Sequence, residues 1–221
     1  MSYHILPDMV INGKIDHVNI MGAVIVSCID CVELVELPNW PNVKIVDCED
    51  CTGLVNLPNW PSLEEIDCSG CTGLSKLPNW PRIQLVKCCR CPGLPKLPNW
   101  MFIEQVDCSE CTGLTVLPNW KRADHVFCYS CINLRELPDW PSVTRVYLAN
   151  CSSLTKLPNW CRIKYVNCTR CVNIQQLPNW VNIVDVKCYD SPCLEYPSLS
   201  VLLQTDFFLE DLKKECIIWY I

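Results

Sequence analysis

The sequence predicts a repeat solenoid, and three observations carry that expectation. The signature Leu-Pro-Asn-Trp recurs every twenty residues. Apolar and cysteine positions fall in fixed columns between its copies. The proline and the short spacing leave no room for a helix on the return path of each unit. The signature stands at residues 37–40 and returns through 177–180, eight copies without an insertion, one of them with Asp139 in place of Asn.

Residues 1–22 read as an N-terminal cap. Leu6-Pro7-Asp8-Met9 looks like a decayed signature out of register. Val10-Ile11 and Lys14-Ile15 flank Asn12-Gly13, a two-residue hairpin signal because both central positions tolerate positive φ. Such a cap covers core and strand edge that an open coil end would expose.

Residues 23–197 are the array, about nine units of the form [V/I/L/A]-x-x-[V/I]-x-C-x-x-C-x-x-L-x-x-L-P-N-W-x-x. Around Val26 and Cys28, and their equivalents in each unit, apolar residues alternate with period two, which predicts a short strand buried on one face. The dozen residues that follow must turn and return as extended or polyproline-like backbone. Within the signature, Leu reads as core, Pro as a rigid return path, Asn as a turn residue, and Trp as a ring stacked on its neighbours along one edge. Residues 198–221 read as a C-terminal cap. Thr205-Asp206 suits the start of a helix that puts Phe208, Leu209, Leu212 and Cys216 on one face.

The unit resembles the leucine-rich repeat family, whose pattern is L-x-x-L-x-L-x-x-[N/C]-x-L. Cys28 and its equivalents take the third Leu position, and Cys31 and its equivalents take the Asn/Cys position. The next Leu comes one residue late, a departure that bears on the turn and the curvature. The resemblance implies a right-handed coil with a parallel β-sheet on its concave face, an extended convex side, and a non-enzymatic role in protein–protein interaction as an adaptor, decoy or scaffold.

Half of the 221 residues are apolar and 19% are charged, which fits a folded chain. A formal charge of −6 argues against a general nucleic-acid partner. Apolar runs such as 23–26 and 217–221 fall far short of the roughly 20 residues a membrane span needs. The start shows no basic region followed by an apolar one, so the expected setting is a reducing cytoplasm with free thiols and a monomeric protein.

Twenty cysteines raise a metal or redox reading. Seven units carry Cys-x-x-Cys, and consecutive pairs give zinc-like C-x2-C-x16-C-x2-C spacing. The solenoid period alone produces the same spacing, with equivalent thiols stacked about 4.8 Å apart in two ladders. Leu148 fills a first-cysteine slot in mid-array, and a leucine can replace a packing residue but not a ligand. No cofactor or metal is therefore expected. Cys89 lies off the ladders beside Lys87 and Arg90, and reads either as a reactive thiol or as an ordinary exposed cysteine.

No Gly-rich phosphate loop and no Ser, His and acid set at triad spacing is present. The candidate working surface is the outward side of the strands. Early coils present Asp47, Glu49, Asp50, Glu65, Asp67, Asp107 and Glu110, a surface suited to steering a partner. Later coils gather His125, Phe127, Tyr129, Arg145, Tyr147 and Tyr165, the residue types that anchor protein interfaces. The competing account of these aromatics is that strands favour them and they pack on one another.

Overall fold

A computed structural model describes residues 2–15 and 22–192. The strands are β1 (Ser2–His4), β2 (Val10–Ile11) and β3 (Lys14–Ile15), followed by one three-residue strand per coil. These are β4 (Ile25–Ser27), β5 (Ile45–Asp47), β6 (Glu65–Asp67), β7 (Leu85–Lys87), β8 (Gln105–Asp107), β9 (His125–Phe127), β10 (Arg145–Tyr147), β11 (Tyr165–Asn167) and β12 (Asp185–Lys187). All but β2 and β3 form one ten-stranded sheet, in the order β1-β4-β5 through β12. Every pair is parallel, with a register that places Val26 beside Val46, Val46 beside Ile66, and so on. The proposed C-terminal helical cap lies outside the described residues.

Each strand is short because only its middle residue points inward. Val or Ile there is buried in β4 through β11 and half-buried in β12, and the residues on either side face solvent. The chain leaves the sheet through a left-handed corner two residues after the first cysteine. Asp30, Asp50, Arg90, Glu110 and Asn150 hold φ between 56° and 64°, and Gly70 occupies the same corner at 71°. Their N–H groups stay in the ladder, as when Asp30 donates to the Glu49 carbonyl at 2.9 Å. Those bonds hold non-glycine residues in a conformation that costs each about 1–2 kcal/mol. Asp47, Asp67, Asp107 and Asn167 add a further bond at the strand exit. Each accepts, through its side-chain oxygen, the N–H of the residue two further on at 3.0–3.2 Å.

The two cysteine ladders differ in their work. The second cysteine of each pair donates its thiol to the carbonyl of the first-cysteine position one coil earlier. Cys51 reaches the Cys28 oxygen at 2.8 Å and Cys111 the Cys88 oxygen at 2.9 Å; Cys171 reaches the Leu148 oxygen at 3.1 Å. Ser191, in the last coil, makes the same bond to the Cys168 oxygen at 2.8 Å. The first cysteines are buried and chiefly fill space; Cys28 and Cys68 donate to the Asp47 and Lys87 carbonyls of the next coil at 3.5 and 3.4 Å, but Leu148 stands in the same column with no donor.

The tryptophans form a third ladder. Trp40 to Trp180 stack with centroids 5.7–6.3 Å apart and planes within 6–11° of parallel. They stack along the array as expected, and they do so inside the core, buried to 4% exposure or less. From Trp60 onward, each indole N–H donates to the signature proline carbonyl of the coil before. Trp60 to Pro38 at 3.0 Å and Trp140 to Pro118 at 2.8 Å are examples. Pro and Trp therefore act as a pair across coils: one aims a fixed carbonyl, the other answers it.

Equivalent rings about 6 Å apart on this side exceed the roughly 4.8 Å strand spacing. On the outer face of the sheet, Phe127 and Tyr147 stack at only 4.5 Å. Coils therefore fan open toward the tryptophans, and the sheet lines the inner, concave side.

At the other end, residues 2–15 complete the first coil. β1 extends the sheet with Ser2 beside Ile25, and Ile5 is buried in the position equivalent to Cys28. Leu6-Pro7-Asp8-Met9 is no copy of the signature; Pro7–Met9 is a 3-10 turn. The hairpin β2–β3 turns at Asn12 (φ 53°) and Gly13 (φ 77°), and the Gly13 carbonyl accepts the Val35 N–H at 2.9 Å. A Cβ on Gly13 would lie 2.7 Å from Val35 Cγ2, so this position requires glycine.

Two substitution pairs test these roles. Trp100→Phe keeps an aromatic ring but orphans the Pro78 carbonyl, and should lower stability by about 1–3 kcal/mol. Trp100→Ala should cost about 3–5 kcal/mol. In the cysteine ladders, Cys111→Ser should be close to neutral, whereas Cys111→Ala should lose about 1–3 kcal/mol, in each case by urea unfolding.

Candidate functional site on the sheet face

On the outer face of the sheet, register brings the predicted residues together. His125, Arg145 and Tyr165 are neighbours on β9, β10 and β11, and so are Phe127, Tyr147 and Asn167. Phe127 and Tyr147 stack within 6° of parallel, and Tyr147 meets Tyr165 at 4.9 Å with a 40° tilt. These three rings form one aromatic rail across three coils. Each is half-buried, largely by the others, so the packing account of these aromatics is correct as far as it goes. Tyr129 stands beyond the strand end and is exposed, outside the ring-to-ring contacts of the rail. His125 Nε2 lies 3.6 Å from Asp124 Oδ2. Arg145 is exposed and pairs with no carboxylate among the described residues.

Much of the acidity of the early coils is met within the protein. Lys87 Nζ lies 3.3 Å from Asp67, and Arg90 reaches both Glu49 at 3.1 Å and Asp50 at 3.3 Å. Burying little of itself, Lys87 is held charged above its usual range by Asp67. Since Asp47, Asp67 and Asp107 also close strand-exit turns, this surface is less free than its composition suggests.

Cys89 is half-buried and donates its thiol to Ser69 Oγ at 2.9 Å. Burial pushes its pKa up, with Asp107 and Asp67 adding to the shift against the Ser69 bond and Arg90. That removes the basis for a reactive thiolate at this position. Many ladder thiols are shifted the same way: burial and Cys51 push Cys31 to about 11, and Cys48, Cys68, Cys88, Cys108 and Cys128 are pushed well up, whereas hydrogen bonds from Cys28 and Cys88 pull Cys51 and Cys111 down. Among the described residues, no group of three or more His, Cys, Asp or Glu side chains is arranged to hold a metal ion.

Sequence reasoning missed the residues just before the strands. Arg162 and Lys164 share a shallow hollow with Asp124, Ser142, Thr144 and Asn182, on the strand-entry side of the rail. Arg122 lies further along that edge, its guanidinium 5.4 Å from the Phe102 ring centroid. The signal for them was present in the columns that precede each strand, which carry no apolar period.

Each coil is twenty residues long, contributes one parallel strand to a concave sheet, and carries a corner side chain that donates to the previous coil. The fold is of the leucine-rich-repeat type. Among solved structures, a leucine-rich repeat protein from Bacteroides ovatus ATCC 8483 is similar at 15% identity and a TM-score of 0.45, over 71% of this chain. The match spans 46% of that protein, so this chain corresponds to less than half of its length. No family model matches the sequence, and no curated protein matches it.

Thiol accessibility gives a direct check on this leucine-rich-repeat core. Among the described cysteines, Cys161, exposed at a coil edge, should alkylate first in the native protein. Cys89 should follow slowly, and the ladder cysteines should label only on unfolding, as read by peptide mass spectrometry.

Proposed function

We propose that this protein is a non-enzymatic interaction module that binds one protein partner on its concave sheet, anchored at His125, Phe127, Tyr129, Arg145, Tyr147 and Tyr165. The supporting observation is the rail of Phe127, Tyr147 and Tyr165, placed on the solvent side of a sheet whose other side is already closed by core. Aromatic rings and Arg supply most of the binding energy in protein interfaces, and their low conformational entropy reduces the cost of association. A pre-stacked rail is ordered before the partner arrives. The module acts as an adaptor, decoy or scaffold, as a monomer in the cytoplasm, without a cofactor. No helix among the described residues is long and apolar enough to cross a membrane.

Replacing Phe127 and Tyr147 together with Ala, and recovering partners from cell extract with the full chain as bait, tests this reading. The expected result is loss of the specific partners, equivalent to about 2 kcal/mol or more at a hot spot. Loss of ring stacking costs the fold only about 0.5–1.5 kcal/mol per pair, so the variant should stay folded by thermal melting. Unchanged partners from a folded variant would sink the proposal.

A further inference from the structure

We infer that the partner presents an acidic segment to coils six to eight, with an apolar or aromatic side chain seated on the rail and carboxylates beside it. This rests on the sheet face being the binding surface, and adds the chemistry of what binds there.

Three exposed cations border the rail: Arg145, between His125 and Tyr165 in the sheet, and Arg162 and Lys164 in the hollow at the strand entry. None of the three pairs with a carboxylate among the described residues. Asp124, the one carboxylate in that hollow, is engaged by the Thr144 hydroxyl and faces His125. On the sheet face of the early coils, by contrast, Lys87 and Arg90 each have an acidic neighbour, as does Lys44 with Glu64 at 2.8 Å at the strand entry. In a chain of net charge −6, a set of cations without counter-charges beside an aromatic rail is a surface that an acidic ligand complements. Arg suits the role because its planar fork pairs with a carboxylate through two bonds.

The rail also discriminates against nucleic acid, the other anionic polymer. Bases bind proteins by stacking on open aromatic faces. Here Phe127 and Tyr147 turn their faces to each other and leave ring edges toward solvent, which suits an apolar side chain laid across them.

The test measures fluorescence anisotropy of the full chain with a labelled peptide of alternating Glu and Phe. Its Lys-for-Glu counterpart and a single-stranded oligonucleotide serve as comparisons. The Glu peptide should bind, weaken as salt is raised, and lose about tenfold or more in affinity when Arg145→Glu and Lys164→Glu are combined. Both residues are exposed and unpaired, so the melting temperature should not move. No binding of the Glu peptide, equal or tighter binding of the Lys peptide, preference for the oligonucleotide, or unchanged affinity of the reversed variant each overturns the inference. Should the Ala variant lose its natural partners while charge reversal leaves peptide binding unaffected, the sheet-face reading stands and the acidic partner falls.

Discussion

The wedge shape of the coil is the constraint on which the rest depends. Neighbouring coils are held at strand spacing along the sheet but stand about 6 Å apart at the tryptophans. A backbone ladder cannot be continuous at the wider spacing, and on that side backbone pairing shrinks to isolated bridges such as Glu36 with Asn56 and Val116 with Glu136. Many of the carbonyls left over are wholly or partly buried and need donors. Side chains of the next coil supply them: indole N–H to Pro carbonyls, thiols to the first-cysteine carbonyls, and amides such as Asn133 and Asn173 to Thr112 and Ser152. Repetition follows directly, because each coil must supply the donors that its predecessor lacks.

That account separates the columns into those fixed by hydrogen bonding and those fixed by volume. Trp and the second cysteine are donors, and the one replacement seen in the second column, Ser191, keeps the donor. The first cysteine chiefly fills space, and the residues that stand in its place, Ile5 at the start and Leu148 in mid-array, keep the apolar volume. Close approach is a third kind of constraint. Gly73 sits where a Cβ would come within 2.6 Å of the Leu54 carbonyl. In later coils the same column changes to Asn133 and Asn173, whose amides reach back to the preceding coil instead of lying tight against it.

The fold was legible in the sequence wherever the period itself carried the information. Strand positions, buried columns and the hairpin at Asn12-Gly13 could all be read by stacking the repeats. What could not be read was the work done inside a column, because period reports burial and not the partner. Spacing treated Cys28 and Cys31 alike, yet only the second ladder donates to the coil before at every step. β1 escaped notice because Tyr3 aligns with Val26, an offset of twenty-three residues that no twenty-residue template finds. The candidate site divided the same way. His125, Phe127, Arg145, Tyr147 and Tyr165 follow from strand alternation, whereas the hollow with Arg162 and Lys164 lies in columns where side-chain direction depends on the turn.

The wedge also bears on what the sheet face can do. Rings placed on the narrow side are brought to 4.5 Å whether or not a ligand ever meets them, so stacking of Phe127 on Tyr147 is what the fold imposes on any aromatic pair there. Stacking alone is thus a statement about stability. The cations are different in kind, since Arg145, Arg162 and Lys164 gain nothing from the narrow spacing. Other exposed cations, Lys76, Lys96 and Lys156 among them, also pair with no carboxylate among the described residues, but they lie away from the strands. What sets Arg145, Arg162 and Lys164 apart is their place beside the rail, and that juxtaposition, more than the stacking itself, separates a surface shaped for a ligand from one shaped only by its own packing.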